Sequence, residues 1–166
     1  MRGFALATTL LAFAVPALAQ AAACRAVTEG VDFCAEGTPF AGVEPVVNTD
    51  SEQEVFTSRS GITLTFDRLP VFALSRWDGT DAGAKSIANT LVGGFVGQFP
   101  PVEHPEDRVA ASVDYAIMTK LQALVTVTEV GEEVVVIQTT EATEGLTEAH
   151  LDAHAAVLAA TKEDTP

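Results

Sequence analysis

The chain has 166 residues, of which 23 are acidic and 9 basic, and its formal net charge at pH 7 is −14. So acidic a surface repels the phosphates of nucleic acids and of anionic lipids, which argues against both as partners. The length suits one hydrophobic core and one domain. The sequence contains no phosphate-binding loop, dinucleotide-binding fingerprint, nucleophile elbow or Cys-x-x-Cys motif, so we assign no cofactor.

The first 19 residues have the three parts of a secretory signal peptide. Arg2 supplies the positive charge, residues 4–15 form an uncharged apolar stretch, and residues 17–19 offer small side chains for a peptidase. A transmembrane anchor is the alternative, but it needs about 20 apolar residues, more than this stretch provides. We therefore predict cleavage after Ala19, a periplasmic or secreted location, and no transmembrane segment in the mature chain. Losing Arg2 makes the mature protein one charge more negative.

Two cysteines, Cys24 and Cys34, follow the predicted cleavage site. A disulfide between them closes a short loop, which is typical of exported proteins. Lipidation of Cys24 is the alternative, because small residues precede it. That alternative would leave Cys34 unpaired, and Ala21 stands where a lipoprotein signal usually has a bulky aliphatic residue. We predict the disulfide, within an irregular N-terminal arm of residues 20–50 that glycines and prolines interrupt.

Residues 51–166 show the hydrophobic periodicities of a mixed sheet-and-helix domain. The predicted elements are strands at 55–57, 62–66 and 71–75, a helix from Thr80 or Asp81, a proline-rich loop at 99–108, strands at 109–118, 121–130 and 134–140, and a helix from Thr147 to Thr161. Residues 134–137 are apolar on both faces, which predicts a central strand covered on each side. We predict an α+β fold in which one antiparallel sheet of about six strands packs with a mid-chain helix and a C-terminal helix.

This element order, with Trp77 near the end of an early strand and a closing hairpin followed by a helix, covers residues 54–161. In these features the chain resembles the PsbP/DcrB-like exported α/β sandwich domains, in which hairpin, helix, meander and closing helix surround one antiparallel sheet. The resemblance implies an accessory or assembly factor of the cell envelope, a class that mostly lacks catalytic residues.

The last predicted helix carries two histidines, His150 and His154, at a spacing that puts both imidazoles on one face. Such a pair suits a metal ion, but the position after the first histidine is Leu151, where a zinc peptidase requires glutamate. The predicted apolar stripe of the helix, which includes Leu151, Ala155 and Leu158, lies one residue away from the pair. We therefore expect both histidines to be half-buried at the helix edge, and we assign no metal.

Two other segments collect polar side chains. Residues 103–108 combine three carboxylates with His104 between prolines, a set that offers oxygen and nitrogen ligands to a cation but is also typical of a solvated loop. Residues 78–81 contain two acids and a glycine but lack the remaining ligands of an EF-hand. Capping of the following helix explains them without an ion.

Two classes of function follow from these patterns. The first is an exported envelope protein that binds a partner or assists assembly and has no catalytic activity, since no catalytic motif is present. The second is a metal-binding protein or metalloenzyme that uses His104, His150 and His154. The two classes differ in whether the three imidazoles converge on one point.

Overall fold

The computed structural model describes residues 24–96, 102–104, 108–115 and 119–164, and it places the side chains of residues 24–91 and 121–164. The predicted signal peptide lies outside the described residues. Within the described residues, no helix has the length and apolar character needed to cross a membrane.

The described chain begins with a series of strands, and its helices lie in the middle and near the C-terminus. In order they are β1 (Arg25–Thr28), β2 (Val31–Phe33), β3 (Val46–Val47), β4 (Glu54–Thr57), β5 (Thr63–Arg68), α1 (Val71–Leu74), α2 (Asp81–Val96), β6 (Val102–His104), β7 (Arg108–Tyr115), β8 (Thr119–Val130), β9 (Glu133–Glu141), α3 (Glu148–Ala160) and β10 (Thr161–Glu163). The predicted α2 and α3 are confirmed. So is the β8–β9 hairpin, whose turn uses Gly131 at φ +60°.

The strands of the described residues form two antiparallel sheets. The larger sheet has the order β3-β4-β5-β9-β8-β7-β6, and the smaller has the order β1-β2-β10. The α+β class is therefore confirmed, whereas the prediction of a single sheet of about six strands is wrong. The physical reason is that β2 pairs with the chain that leaves α3, Phe33 opposite Thr161, instead of extending the main sheet.

Strand β9 lies at the centre of the larger sheet and is covered on both faces, as its sequence predicts. Val135 and Ile137 point into a core shared with α3, β2, β4 and β5. Val134 and Val136 point into a second core shared with α2 and α1. Because successive side chains of a strand point to opposite faces, β9 contributes to both cores. Helix α2 covers one face of the sheet and α3 covers the other.

The N-terminal segment is not the irregular arm that its sequence predicts. Val31, Phe33 and Phe40 are fully buried, and the ring of Phe33 lies 5.2 Å from that of Phe66, centroid to centroid. The predicted disulfide between Cys24 and Cys34 is confirmed. In the chain-entropy account, closing so short a loop stabilises the folded segment by about 2–3 kcal/mol.

Two further local predictions are wrong. Residues 71–75, predicted as a strand, contain helix α1, because Pro70 fixes the backbone before the turn and its carbonyl accepts hydrogen bonds from the amides of Ala73 and Leu74. Residues 99–108, predicted as a loop, contain strand β6. Helix α1 leaves Val71, Phe72 and Leu74 exposed, with only Ala73 buried among its four residues.

Candidate functional site

The two histidines of helix α3 lie on its buried face. Its N-cap is Thr147, whose hydroxyl accepts a hydrogen bond from the backbone amide of His150, at 3.0 Å. The buried residues of the helix follow the spacing i, i+3, i+4 and i+7; they are His150, Ala153, His154 and Val157. Both imidazoles have 0% exposure, so the expectation that they sit half-buried at the helix edge is wrong.

The two imidazoles belong to one chain of hydrogen bonds with two threonines of the sheet. The hydroxyl of Thr139, on β9, lies 2.9 Å from His150 Nε2 and 2.9 Å from His154 Nδ1. The hydroxyl of Thr126, on β8, lies 2.9 Å from His154 Nε2. All four side chains are buried, so these hydrogen bonds lie between α3 and the face of the larger sheet that α3 covers.

Glu141 sets the direction of this hydrogen-bond chain. Its Oε2 atom lies 3.9 Å from His150 Nδ1, which has no hydrogen-bond partner among the described residues, and it accepts a hydrogen bond from the Thr147 hydroxyl. A nearby carboxylate favours the tautomer that carries its proton on Nδ1, and a hydroxyl donates only one proton. Thr139 therefore donates to His150 Nε2 and accepts from His154.

The single proton of each hydroxyl also determines the direction of the hydrogen bond between Thr126 and His154. With its proton on Nδ1, His154 presents a lone pair at Nε2, and the Thr126 hydroxyl donates to it. The two histidine tautomers are thus coupled through the Thr139 hydroxyl. Each ring nitrogen therefore lies beside a threonine hydroxyl or the Glu141 carboxylate. This arrangement fits two neutral imidazoles with a structural role, which is to hold α3 on the sheet.

Burial lowers the pKa of His150 below its ordinary value, and this effect exceeds the opposing influences of Glu141 and of Thr139. The neutral imidazole is therefore the form that the fold accommodates. Since the folded pKa is lower than the unfolded one, the unfolded chain binds more protons in acid. Stability attributable to His150 is complete above about pH 6.5 and declines as the pH falls from there through the folded pKa.

At pH values under about 6.5, we expect the free energy of unfolding to decrease as the pH is lowered. His150 is expected to contribute up to about 1.4 kcal/mol per pH unit to this decrease. Urea unfolding at a series of pH values measures the slope. The variant His150→Gln is expected to remove that part of the slope, whatever its own stability, whereas His104→Gln serves as the matched control. An unchanged slope in His150→Gln would contradict the assignment.

The three candidate metal ligands are only partly brought together. His150 and His154 share Thr139, whereas His104 lies in strand β6 and its side chain is outside the described part of the chain. Among the side chains that the structure describes, no group of three or more histidine, cysteine, aspartate or glutamate residues could hold a metal ion. The sequence spacing indicated the histidine pair but gave no sign of Glu141 or of the two threonines.

The acidic loop before α2 acts as a helix cap. Asp78 Oδ1 accepts hydrogen bonds from the amide and the hydroxyl of Thr80, at 3.0 and 2.7 Å, which lowers the pKa of Asp78. The Thr80 hydroxyl in turn accepts a hydrogen bond from the amide of Gly83 at 3.0 Å. These contacts agree with the capping interpretation of residues 78–81.

A second candidate site, without any signal in the sequence, lies along the outer edge of β8. The pairing of β7 with β8 ends where Val109 faces Val125, so among the described residues no strand pairs with the outer edge of residues 126–130. A cavity of about 320 Å³ lies along this edge, between the first turn of α2 and the last turn of α3. We call it the β8 edge groove; its walls include Asp81, Glu129 and Leu158.

The backbone orientation at this edge follows from one hydrogen bond on the far side of β9. The amide of Leu69 donates to the carbonyl of Val134, so the polar backbone groups of Val135 point the other way, toward β8. Val135 faces Thr128 in the register, and Thr128 therefore bonds to β9. The amides and carbonyls of the alternate residues, Val127 and Glu129, consequently point into the β8 edge groove.

The side chains of β8 divide between the two walls of the groove. Val127 belongs to the same core cluster as Ala84 of α2, Glu129 and Asp81 also line the groove, and Trp77 Nε1 donates a hydrogen bond of 2.6 Å to Glu129. The alternate residues of β8 lie on the α3 side, and among them Thr126 joins the groove to the histidine network. The groove thus combines backbone hydrogen-bonding groups with an acidic wall.

Comparisons of the chain with protein-family models, with curated proteins and with solved structures found no match. The resemblance to PsbP/DcrB-like domains therefore stays a prediction.

Proposed function

We propose that this chain is an exported accessory protein of the cell envelope that acts by binding a protein partner and not by catalysis. The observation that carries the proposal is the β8 edge groove, where strand backbone groups face outward between two helices. Open strand edges of this kind bind extended chains in many proteins. The imidazoles of His150 and His154, in contrast, are fully buried and contact threonine hydroxyls.

The export half of the proposal is supported by the disulfide. Disulfides persist in oxidising compartments such as the periplasm and the extracellular space. The bond between Cys24 and Cys34 also uses the sulfur atom that lipidation of Cys24 would require. Both points agree with an N-terminal signal peptide that is cleaved after Ala19 without lipid attachment.

A metal-binding protein or metalloenzyme that uses His104, His150 and His154 is the second candidate function. One observation favours it: His150 Nδ1 is buried, has no hydrogen-bond partner in the part of the chain that the structure describes, and lies 3.9 Å from the Glu141 carboxylate. An imidazole nitrogen and a carboxylate oxygen are both common ligands of zinc. This candidate requires the local side chains to rearrange, since the other ring nitrogens contact threonine hydroxyls.

Mass spectrometry of the mature protein, expressed from the full chain and purified without a metal-affinity tag, separates the two functions. Under denaturing conditions we expect a chain that begins at Gln20, carries one disulfide and has no lipid. Under native conditions we expect no stoichiometric metal in the wild type. Stoichiometric zinc or copper that is lost in His150→Gln but retained in the control Glu36→Gln, with unchanged circular dichroism, would establish the metal-binding function instead.

A further inference from the structure

We propose that the β8 edge groove accepts an extended, basic segment of a partner protein as an added antiparallel strand. The inference rests on the proposed binding function and specifies the chemistry of the partner. It follows from three properties of the groove: the direction of its backbone groups, the composition of its walls and the charge of the chain.

The backbone groups define the geometry of the bound segment. The amides and carbonyls of Val127 and Glu129 point outward, which gives two donors and two acceptors along one side of β8. These are the groups through which an edge strand recruits another chain. A segment that lies antiparallel to β8 satisfies all four, and main-chain hydrogen bonds of this kind provide affinity that is independent of side-chain identity.

The walls limit the length and side chains of the segment. A volume of about 320 Å³ is at the lower end of the range for ligand pockets, so only a few residues of the partner enter the groove. On the α3 side the wall includes Leu158 and Val130, which suit small apolar side chains. On the α2 side it includes Asp81 and Glu129, which suit cationic ones.

Charge decides the class of partner. The chain has a formal net charge of −14, and none of the described residues that line the groove is a lysine or an arginine. A second copy of this chain would bring the same large negative charge and the same acidic wall, so self-pairing through this edge is disfavoured. A strand whose side chains alternate between small apolar residues and lysine or arginine complements both walls at once.

Trp77 provides the readout for a binding experiment, because it is the single tryptophan of the chain and donates a hydrogen bond to Glu129 in the groove wall. The probe is a capped peptide of about eight residues in which valine and lysine alternate. Controls are the same peptide with glutamate in place of lysine and a version with every backbone amide N-methylated. Tryptophan fluorescence is titrated with each peptide at low and at physiological salt.

We expect the lysine peptide to bind, with an affinity that falls as salt rises, and the glutamate and N-methylated peptides not to bind. The variant Glu129→Gln, whose amide oxygen still accepts from Trp77, is expected to weaken binding about fivefold. Glu36→Gln, an exposed change of equal charge outside the groove, should leave the affinity unchanged.

Different failures have different meanings. Equal binding of the N-methylated peptide would overturn strand addition, and equal binding of the glutamate peptide would overturn the requirement for a basic partner. In both cases the proposed function as a binding protein would survive. Absence of binding by all peptides would overturn the inference alone, whereas stoichiometric metal in native mass spectra would overturn the proposed function. A concentration-dependent dimer that Glu129→Gln strengthens would assign the groove to a second copy and also overturn the inference.

Discussion

Replacing Thr139 by valine is expected to lower the free energy of unfolding by about 2–4 kcal/mol. Valine has nearly the same shape but no hydroxyl, so His150 Nε2 and His154 Nδ1 lose their shared partner in a fully buried position. A buried polar group without a partner costs about 1–3 kcal/mol. The two ring nitrogens together account for the expected loss, because both imidazoles have 0% exposure.

Urea unfolding of the mature protein, followed by circular dichroism, measures this effect. Thr139→Ser keeps the hydroxyl and removes one methyl group, so it should cost only about 1 kcal/mol. Thr140→Val is the neighbouring control on the other face of β9, where the hydroxyl of Thr140 contacts that of Thr63. A Thr139→Val variant as stable as Thr139→Ser would show that the hydroxyl does not hold the histidines.

The histidine network and the β8 edge groove meet at Thr126. Its hydroxyl donates to His154 Nε2, and the residue also lines the groove at the start of the open edge. A rigid β8 is a condition for recognition through backbone groups, because an added strand needs donors and acceptors at fixed spacing. If the β8 edge groove binds an added strand, as proposed, the buried network contributes by fixing the strand that presents these groups.

The long periodic elements of the fold were predictable from the sequence, whereas the short ones were not. Helices α2 and α3 and the β8–β9 hairpin each contain enough residues for a period to stand out from noise. Strands β2 and β10 have three residues each and pair across almost the whole length of the chain. No local pattern encodes such a pairing, so the smaller sheet could be found only in three dimensions.

The histidine pair was visible in the sequence, but its role was not. The predicted stripe of Leu151, Ala155 and Leu158 lies one residue out of phase with the buried face, because histidine is a polar residue type although His150 and His154 lie on that face. Their partners Thr126 and Thr139 belong to different strands, and only the register of β8 and β9 beneath α3 brings them together. The groove lies where the described pairing of β7 with β8 ends, at Val125, and no residue type reports that position.

Replacing Phe33 by alanine is expected to lower the free energy of unfolding by about 3–5 kcal/mol, the usual range for a buried aromatic side chain. Phe33 is 1% exposed, and its ring packs against those of Phe40, Phe56 and Phe66. It is therefore a central residue of the core, although it lies in the segment for which glycines and prolines predict an irregular arm.

The matched control is Phe72→Ala, which removes the same side chain from helix α1, where Phe72 is 63% exposed. Its effect should stay within about 0.5 kcal/mol, since exposed substitutions away from special features change stability little. Thermal unfolding of both variants by calorimetry makes the comparison, with the disulfide intact in each. If residues 20–50 were an independent arm, Phe33→Ala would leave the main transition in place. We expect instead that the single transition shifts as a whole to lower temperature, because the ring of Phe33 belongs to the same core as β9 and α3.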